Sequence, residues 1–232
     1  MRIRSITAWL CALVVIGLLG SPNRVLAGDR HDRHDRDDRD LSCVGDISNE
    51  TIQGDLEVPA GATCTLTDVN VMGSIRIDAG GSLSLNGGTV AGNIHGTRAT
   101  LFFMVHDGGG SPVTVDGNVL MLNVASVEMS RGTVKGNFLV NKSTSIGISG
   151  TAFGRNLVVT DTAESIQILG ALIGGDFLVL GNTGNAFISG NVVGRSLAAL
   201  GNTGGITVTG NTVSRKLVCR ANVPTATGQC ND

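Results

Sequence analysis

Between residues 52 and 219, one pattern of apolar and polar positions repeats nine times. Seven-residue segments such as VKGNFLV (134–140) and IGGDFLV (173–179) begin on an apolar residue and are apolar again at the fifth position. Consecutive fifth positions are 19 or 20 residues apart, except for one step of 25. A fixed period of this length predicts a solenoid in which each repeat forms one coil. The fifth-position residues are Leu56, Ile75, Ile94, Val119, Phe138, Leu157, Phe177, Leu197 and Leu217.

Each repeat contains two apolar stretches and no helical pattern. The seventh position is also apolar in most copies, so the seven-residue segment is predicted to be a strand with one buried face. A second apolar pair follows in most copies, as in Ile146/Ile148 and Ile166/Ile168, and turn signals rich in Gly and Asn separate the two stretches. Each strand is therefore expected to pair with its equivalent one coil later.

The predicted fold is all-β: a single-stranded parallel β-helix, or β-solenoid, with about nine coils of 19–20 residues. The handedness of parallel crossovers favours a right-handed coil. An antiparallel sandwich is the alternative, but it needs hairpins and would not keep like residues in register. The polar residues before the fifth position are predicted to form a hydrogen-bonded ladder at a bend. They are Asp55, Ser74, Asn93, Asn118, Asn137, Asn156, Asp176, Ser196 and Lys216.

Residues 1–27 have the features of a secretory signal peptide. The basic start MRIR precedes an apolar run at 6–19, and Val25-Leu26-Ala27 fits the small-residue pattern before a cleavage point. An uncleaved anchor is the alternative, although the run is short for a membrane span. We therefore expect a secreted protein, periplasmic or extracellular, with no membrane span after cleavage.

Residues 28–40 (GDRHDRHDRDDRD) contain four Arg, six Asp and two His and no apolar residue. Such a segment is predicted to be a disordered spacer. His31 and His34 are weak candidates for metal ligands, and no cofactor is expected. Residues 41–232 are then predicted to form the β-helix domain. Three of the 17 basic residues lie within 1–27, so 14 basic and 19 acidic residues remain, a net charge of −5 that argues against a nucleic-acid partner.

Four cysteines remain outside the signal peptide, at positions 43, 64, 219 and 230. Cys64 falls in an inward column, and Cys43 precedes it by 21 residues, about one coil. Neighbouring coils bring such Cα atoms within disulfide reach. Of the three possible connectivities, Cys43–Cys64 and Cys219–Cys230 are favoured, as bridges that cap the two ends of the solenoid.

The step of 25 residues places an insertion within 97–112 (TRATLFFMVHDGGGSP). It contains Phe102, Phe103, His106 and Asp107, the densest group of unusual side chains after residue 27. One interpretation is a lip that forms a pocket or a partner contact. The favoured interpretation is an insertion that packs its own Phe and Met side chains over the side of the rod.

Catalysis is not expected from the distribution of acidic residues. Polysaccharide lyases and hydrolases need clustered carboxylates. Here Asp55 and Asp176 are predicted to lie six coils apart, and Asp116 and Glu128 are isolated. Outside the signal peptide the chain also has no Trp or Tyr to support a sugar ring.

Arg155, Arg195 and Arg215 share the third position of the repeat, and Lys216 follows the last of them. A column of this kind could bind a sulfated or carboxylated polymer along the rod. Ordinary solvated surface charge is the alternative.

Two stretches resemble a group of uncharacterised secreted bacterial β-helix repeat proteins with Cys-bearing ends. They are CTLTDVNVMGSIRIDAGGSLSLNGGTVAGNI (64–94) and GNTVSRKLVCRANVPTATGQC (210–230). The Gly-Asn coils are also similar to those of bactofilin-like polymer-forming proteins, which are cytosolic and lack terminal bridges. Neither resemblance implies active-site residues.

Together these features predict a secreted, non-catalytic β-solenoid that acts as a structural or interaction module. Its expected partner is a polymer of a cell surface or matrix. Binding of an anionic polysaccharide through the Arg column, and a minimal carbohydrate-active enzyme, are the alternatives.

Overall fold

Each coil of the solenoid is built from three short strand segments joined by corners. The computed structural model describes residues 41–106 and 111–230, and within these ranges all regular structure is β-strand. Every strand pair in them is parallel. The strands are β1 (Leu41–Ser42), β2 (Gly45–Ser48), β3 (Thr51–Ile52), β4 (Leu56–Val58), β5 (Thr63–Val71), β6 (Ile75–Ile77), β7 (Ser82–Val90), β8 (Ile94–Thr97), β9 (Leu101–Val105), β10 (Thr114–Val115), β11 (Val119–Leu122), β12 (Ser126–Ser130), β13 (Thr133–Val134), β14 (Phe138–Asn141), β15 (Ser145–Ser149), β16 (Ala152–Phe153), β17 (Leu157–Thr160), β18 (Ser165–Leu169), β19 (Leu172–Ile173), β20 (Phe177–Leu180), β21 (Asn185–Ser189), β22 (Val192–Val193), β23 (Leu197–Leu200), β24 (Ile206–Thr209), β25 (Thr212–Val213), β26 (Leu217–Arg220) and β27 (Thr227–Gly228).

The strands form a parallel solenoid of about nine turns, as predicted. It has three faces rather than the two that the apolar stretches indicated. Face A is a ten-stranded sheet in the order β1-β4-β6-β8-β11-β14-β17-β20-β23-β26. Face B contains β2, β9, β12, β15, β18, β21, β24, β27 and the first parts of β5 and β7. Face C contains β3, β10, β13, β16, β19, β22, β25 and the last parts of β5 and β7.

Like residues stack in register, which confirms the central prediction. On face A, Phe138 pairs with Val119 in the preceding coil and with Leu157 in the following one, and Leu157 pairs with Phe177. These four side chains are at most 1% exposed and belong to one continuous apolar core. Burial of these aliphatic and aromatic columns is the main stabilising contribution, since no single face could exclude water from its apolar side chains.

The seven-residue motif, however, is not a single strand. Its first position lies on face C and its fifth and seventh lie on face A, so Val71 ends β5 and Ile75 begins β6. The corner between them is tight: a Cβ added at Gly73 would come within 2.6 Å of the carbonyl oxygen of Gly54 one coil earlier. The assignment of one strand was therefore wrong, although the predicted inward positions Val71, Ile75 and Ile77 are all buried.

The predicted polar ladder follows this corner. The backbone N–H of Asn118 donates to Oδ1 of Asn93, and that of Asn137 donates to Oδ1 of Asn118, both at 2.8 Å. Equivalent bonds connect every coil from Asp55 to Ser196. These bonds satisfy backbone donors that the bend removes from the sheet.

Two further ladders are buried at the other corners of the last coils. Oδ1 of Asn182 accepts from the N–H of Thr162, and Oδ1 of Asn202 accepts from Asn182. At the remaining corner, Oδ1 of Asn191 accepts from the N–H of Ala171 at 2.8 Å, and Oδ1 of Asn211 accepts from the N–H of Asn191 at 2.9 Å. The sequence had marked these Asn residues only as turn formers.

Disulfides lie at both ends of the solenoid, with the predicted connectivity. Cys43 and Cys64 have Cα atoms 5.5 Å apart, and Cys219 and Cys230 have Cα atoms 5.7 Å apart. The register partner of Cys64 is Gly45, so Cys43 reaches it from the corner before β2. Two bridges indicate an oxidising, non-cytoplasmic environment.

The solenoid begins earlier than the nine sequence repeats. Residues 41–51, which precede the first repeat, contribute β1 and β2, and these strands pair with β4 and β5. Residues 41–106 and 111–230 include no helix with the length and apolar character needed to span a membrane.

Candidate binding surface

The predicted arginine column lies at the corner between faces C and A. The N–H of Gly175 donates to the carbonyl of Arg155, that of Arg195 to Gly175, and that of Arg215 to Arg195, at 2.9–3.1 Å. These bonds place Arg155, Arg195 and Arg215 in one column across four successive coils, with Gly175 in the gap. All three side chains and that of Lys216 are exposed.

Acidic neighbours neutralise little of this column. Arg195 Nη1 lies 3.7 Å from Asp176 Oδ2, and the Arg195 side chain is 52% exposed, so this ion pair is loose. Among the described residues, neither Arg155 nor Arg215 takes part in an ion pair. The column therefore presents a cationic edge about three coils deep, on the order of 15 Å at ~4.8 Å per coil.

An aliphatic stripe covers the outer side of face A beside this edge. The sixth position of the repeat points outward and is aliphatic in six successive coils. Its members are Leu120, Leu139, Val158, Leu178, Ala198 and Val218. Val158 is buried, and the other five are partly exposed. The first three repeats, which begin at Ile52, Val71 and Val90, have Glu57, Arg76 and His95 at this position instead.

Sequence reasoning missed the stripe because it followed only the inward columns. The signal was present: an outward position of a strand that faces water is normally polar, yet this one is aliphatic from residue 120 onward.

Arg155 precedes Val158 by three residues, as Arg195 precedes Ala198 and Arg215 precedes Val218. Three residues span at most about 10 Å even when fully extended, and the corner between Arg155 and Leu157 shortens this distance. The cationic edge and the stripe thus form one surface, which we call the amphipathic face.

Face B carries a separate groove of about 310 Å³ on its outer side. Its lining includes Phe103, Glu128, Gly147, Gln167 and Leu169. Glu128 pairs in register with Phe103 on one side and Gly147 on the other. A Cβ added at Gly147 would come within 3.1 Å of both carboxylate oxygens of Glu128, so the carboxylate lies over the space that this glycine leaves empty.

Partial burial in the groove raises the pKa of the Glu128 carboxyl, and a hydrogen bond with Ser126 opposes this rise to a smaller extent. The sequence had classed Glu128 as isolated, and no second carboxylate lies among the described lining residues. Glycoside hydrolysis uses a pair of acids, and the described lining residues supply one.

The residues predicted in the insertion are divided between core and surface. Leu101 pairs with Ser82 at the ordinary 19-residue interval, so β9 belongs to a regular coil and the extra residues lie between β9 and β10. Phe102 is 0% exposed in the core, where a partner cannot reach it, whereas Phe103 lines the groove. His106 follows β9 and is partly buried, with its Nδ1 unpaired among the described residues. Asp107 lies outside the described residues.

His31 and His34 also lie outside the described residues, so the metal ligation considered for them stays a prediction. The part of the chain that the structure describes contains no group of three or more His, Cys, Asp or Glu side chains placed to hold a metal ion. No protein-family profile, curated protein or solved structure matches the chain.

Proposed function

We propose that the chain is a secreted, non-catalytic interaction module that binds a polymer of a cell surface or matrix through the amphipathic face. The observation that carries this proposal is the aliphatic stripe on the outer side of face A. The outward side chains of a solvent-facing sheet can be polar without loss of the fold, so a contiguous row of apolar ones marks a contact surface. Face C, by comparison, has an outward column that is mostly Thr in its first five coils and is aliphatic in only three later ones, at Ala152, Leu172 and Val192, half the length of the stripe.

The rigidity of the solenoid supports the same role. Three polar ladders and the two terminal disulfides restrict bending and fraying, so side chains on successive coils keep a fixed spacing of about 4.8 Å. A fixed spacing favours binding of an extended, repeating partner, because little conformational entropy is lost on contact. Export of the chain, as the signal-peptide pattern predicts and the disulfides favour, would bring it to such partners.

Binding of an anionic polysaccharide is the second candidate, and the loosely paired arginine column favours it. Guanidinium groups bind sulfate and carboxylate with two parallel hydrogen bonds. In this case the cationic edge would dominate binding, and retention would weaken as salt screens the charges.

Sedimentation with insoluble envelope material from the producing cells tests the proposal. Leu139→Ser with Leu178→Ser should reduce the bound fraction at least about fivefold, whereas the matched pair Leu172→Ser with Val192→Ser on face C should not. Leu172 and Val192 are 55% and 45% exposed, so they are suitable controls. Equal binding by the wild type and the stripe variant would contradict the proposal.

Salt dependence separates the two candidates. The first measurement is retention on immobilised dextran sulfate between 50 and 300 mM salt, roughly the range over which the Debye length shortens. The polysaccharide is favoured if retention falls over this range and is lost in Arg155→Ala/Arg195→Ala/Arg215→Ala. Retention that resists salt and depends on the stripe would favour the apolar contact.

A further inference from the structure

The groove on face B contains a carboxylate, that of Glu128, which has no cationic partner in the part of the chain that the structure describes. Glu128 takes part in none of the ion pairs formed by the described residues. The neighbouring strand β9 presents Leu101, Phe103 and Val105 on this side, and β15 presents Ser145, Gly147 and Ser149, none of which can carry charge. A half-buried anion without a cationic partner among the described residues is a site where an added cation gains Coulomb energy at little further desolvation cost.

The walls of the groove suit a cation on a short apolar stem. Phe103 provides an aromatic ring, which attracts cations over its face, and Val105 and Leu169 provide aliphatic surface for methylene groups. Ser130, Ser149 and Gln167 add oxygen atoms that can accept hydrogen bonds from N–H donors. An anion would find no positive group among these lining residues.

We infer that this groove binds an alkylammonium or guanidinium group, with Glu128 as its counter-ion and Phe103 as its aromatic wall. The inference does not depend on the amphipathic face, which lies on a different side of the coil. Two sources share this chemistry: the lysine or arginine side chain of a partner protein, and a free polyamine.

Gly147 supplies the most specific test of the geometry. Its backbone does not need the left-handed region, so alanine is conformationally tolerated, yet the added methyl would displace the Glu128 carboxylate. Gly147→Ala therefore disrupts the groove while the charge is kept, and Glu128→Gln removes the charge while the shape is kept. Glu164→Gln is the matched control, because Glu164 is an exposed carboxylate outside the groove.

The experiment is an amide chemical-shift titration of the full chain with acetyl-Gly-Lys-Gly-amide, acetyl-Gly-Arg-Gly-amide and spermidine. Binding should shift the amides of Gly147, Ser149 and Gln167. It should weaken at least about fivefold in Glu128→Gln and Gly147→Ala, but less than twofold in Glu164→Gln. Preferential binding of a peptide would assign the site to a protein side chain, and preference for spermidine would assign it to free polyamines. Absence of these shifts, or equal affinity in all three variants, would overturn the inference.

Discussion

Oδ1 of Asn202 accepts two hydrogen bonds from Asn182 in the preceding coil, one from its backbone N–H at 3.1 Å and one from its side-chain amide at 2.8 Å. The amide of Asn202 also donates to the carbonyl of Val179 at 3.0 Å. Both Asn side chains are fully buried. One side chain thus replaces the sheet hydrogen bonds that the chain gives up where it turns from face A to face B.

Asn202→Ala should therefore destabilise the protein by about 2–4 kcal/mol, because it leaves the backbone N–H and one side-chain N–H of Asn182 buried without their acceptor. Asn185→Ala is the matched control, since Asn185 is exposed, and it should cost less than about 0.5 kcal/mol. Urea denaturation measures both changes. Equal losses in the two variants would show that the buried ladder does not stabilise the corner.

Phe138→Ala should destabilise the protein by about 3–5 kcal/mol, since it opens a cavity in the core. The Phe138 ring is 0% exposed and lies 5.4 Å, between centroids, from that of Phe153. Phe187→Ala removes a ring of the same size that points outward and is 41% exposed, and it should cost less than about 1 kcal/mol. A reversed order of the two costs, again measured in urea, would contradict the assignment of inner and outer columns.

Removal of the first bridge with Cys43→Ala/Cys64→Ala should reduce global stability by about 2–4 kcal/mol. Because coils contact mainly their neighbours, hydrogen exchange should accelerate most in β2 and in residues 63–67 of β5. Exchange in β15, four coils away, should follow only the global change. Uniform acceleration along the whole solenoid would contradict a local capping role.

The raised pKa of Glu128 sets the sign of a pH effect. The charged carboxylate is disfavoured in the folded state, so ionisation of Glu128 lowers the free energy of unfolding at neutral pH. The free energy of unfolding rises as the pH falls through the folded and then the unfolded pKa. Glu128→Gln should therefore be more stable than the wild type at pH 7, by less than ~1 kcal/mol because the group is still partly solvated. This advantage should disappear below the unfolded pKa. A variant less stable than the wild type at pH 7 would contradict the sign.

The apolar period alone predicted the architecture, since stacking of like residues is the only way these short strands can bury their apolar sides. It also predicted the polar ladder from Asp55 and the Cys43–Cys64 bridge, because both follow from the coil register. The Cys219–Cys230 bridge joins residues only 11 positions apart and was predicted as a cap of the other end. The third face was missed because its strands are only two residues long, as in β13 and β16, and a two-residue strand has no detectable alternation.

The candidate surfaces were harder to predict. The arginine column follows from the repeat frame, but the groove depends on the absence of a side chain at Gly147 next to Glu128, a relationship between residues 19 positions apart. Phe102 and Phe103 look equivalent in sequence. Only the register of β9 shows that the first belongs to the core and the second to the groove.

Cross-linking across neighbouring coils tests the stacked register most directly. Ser145 and Ser165 are register partners on face B, and adjacent strands bring such Cα atoms within the range that a disulfide bridges. Ser145→Cys/Ser165→Cys should form a third disulfide rapidly under mild oxidation without loss of stability. Ser145→Cys/Gln167→Cys, which is two residues out of register, should remain largely reduced. Efficient cross-linking of the second pair, or failure of the first, would contradict the parallel solenoid.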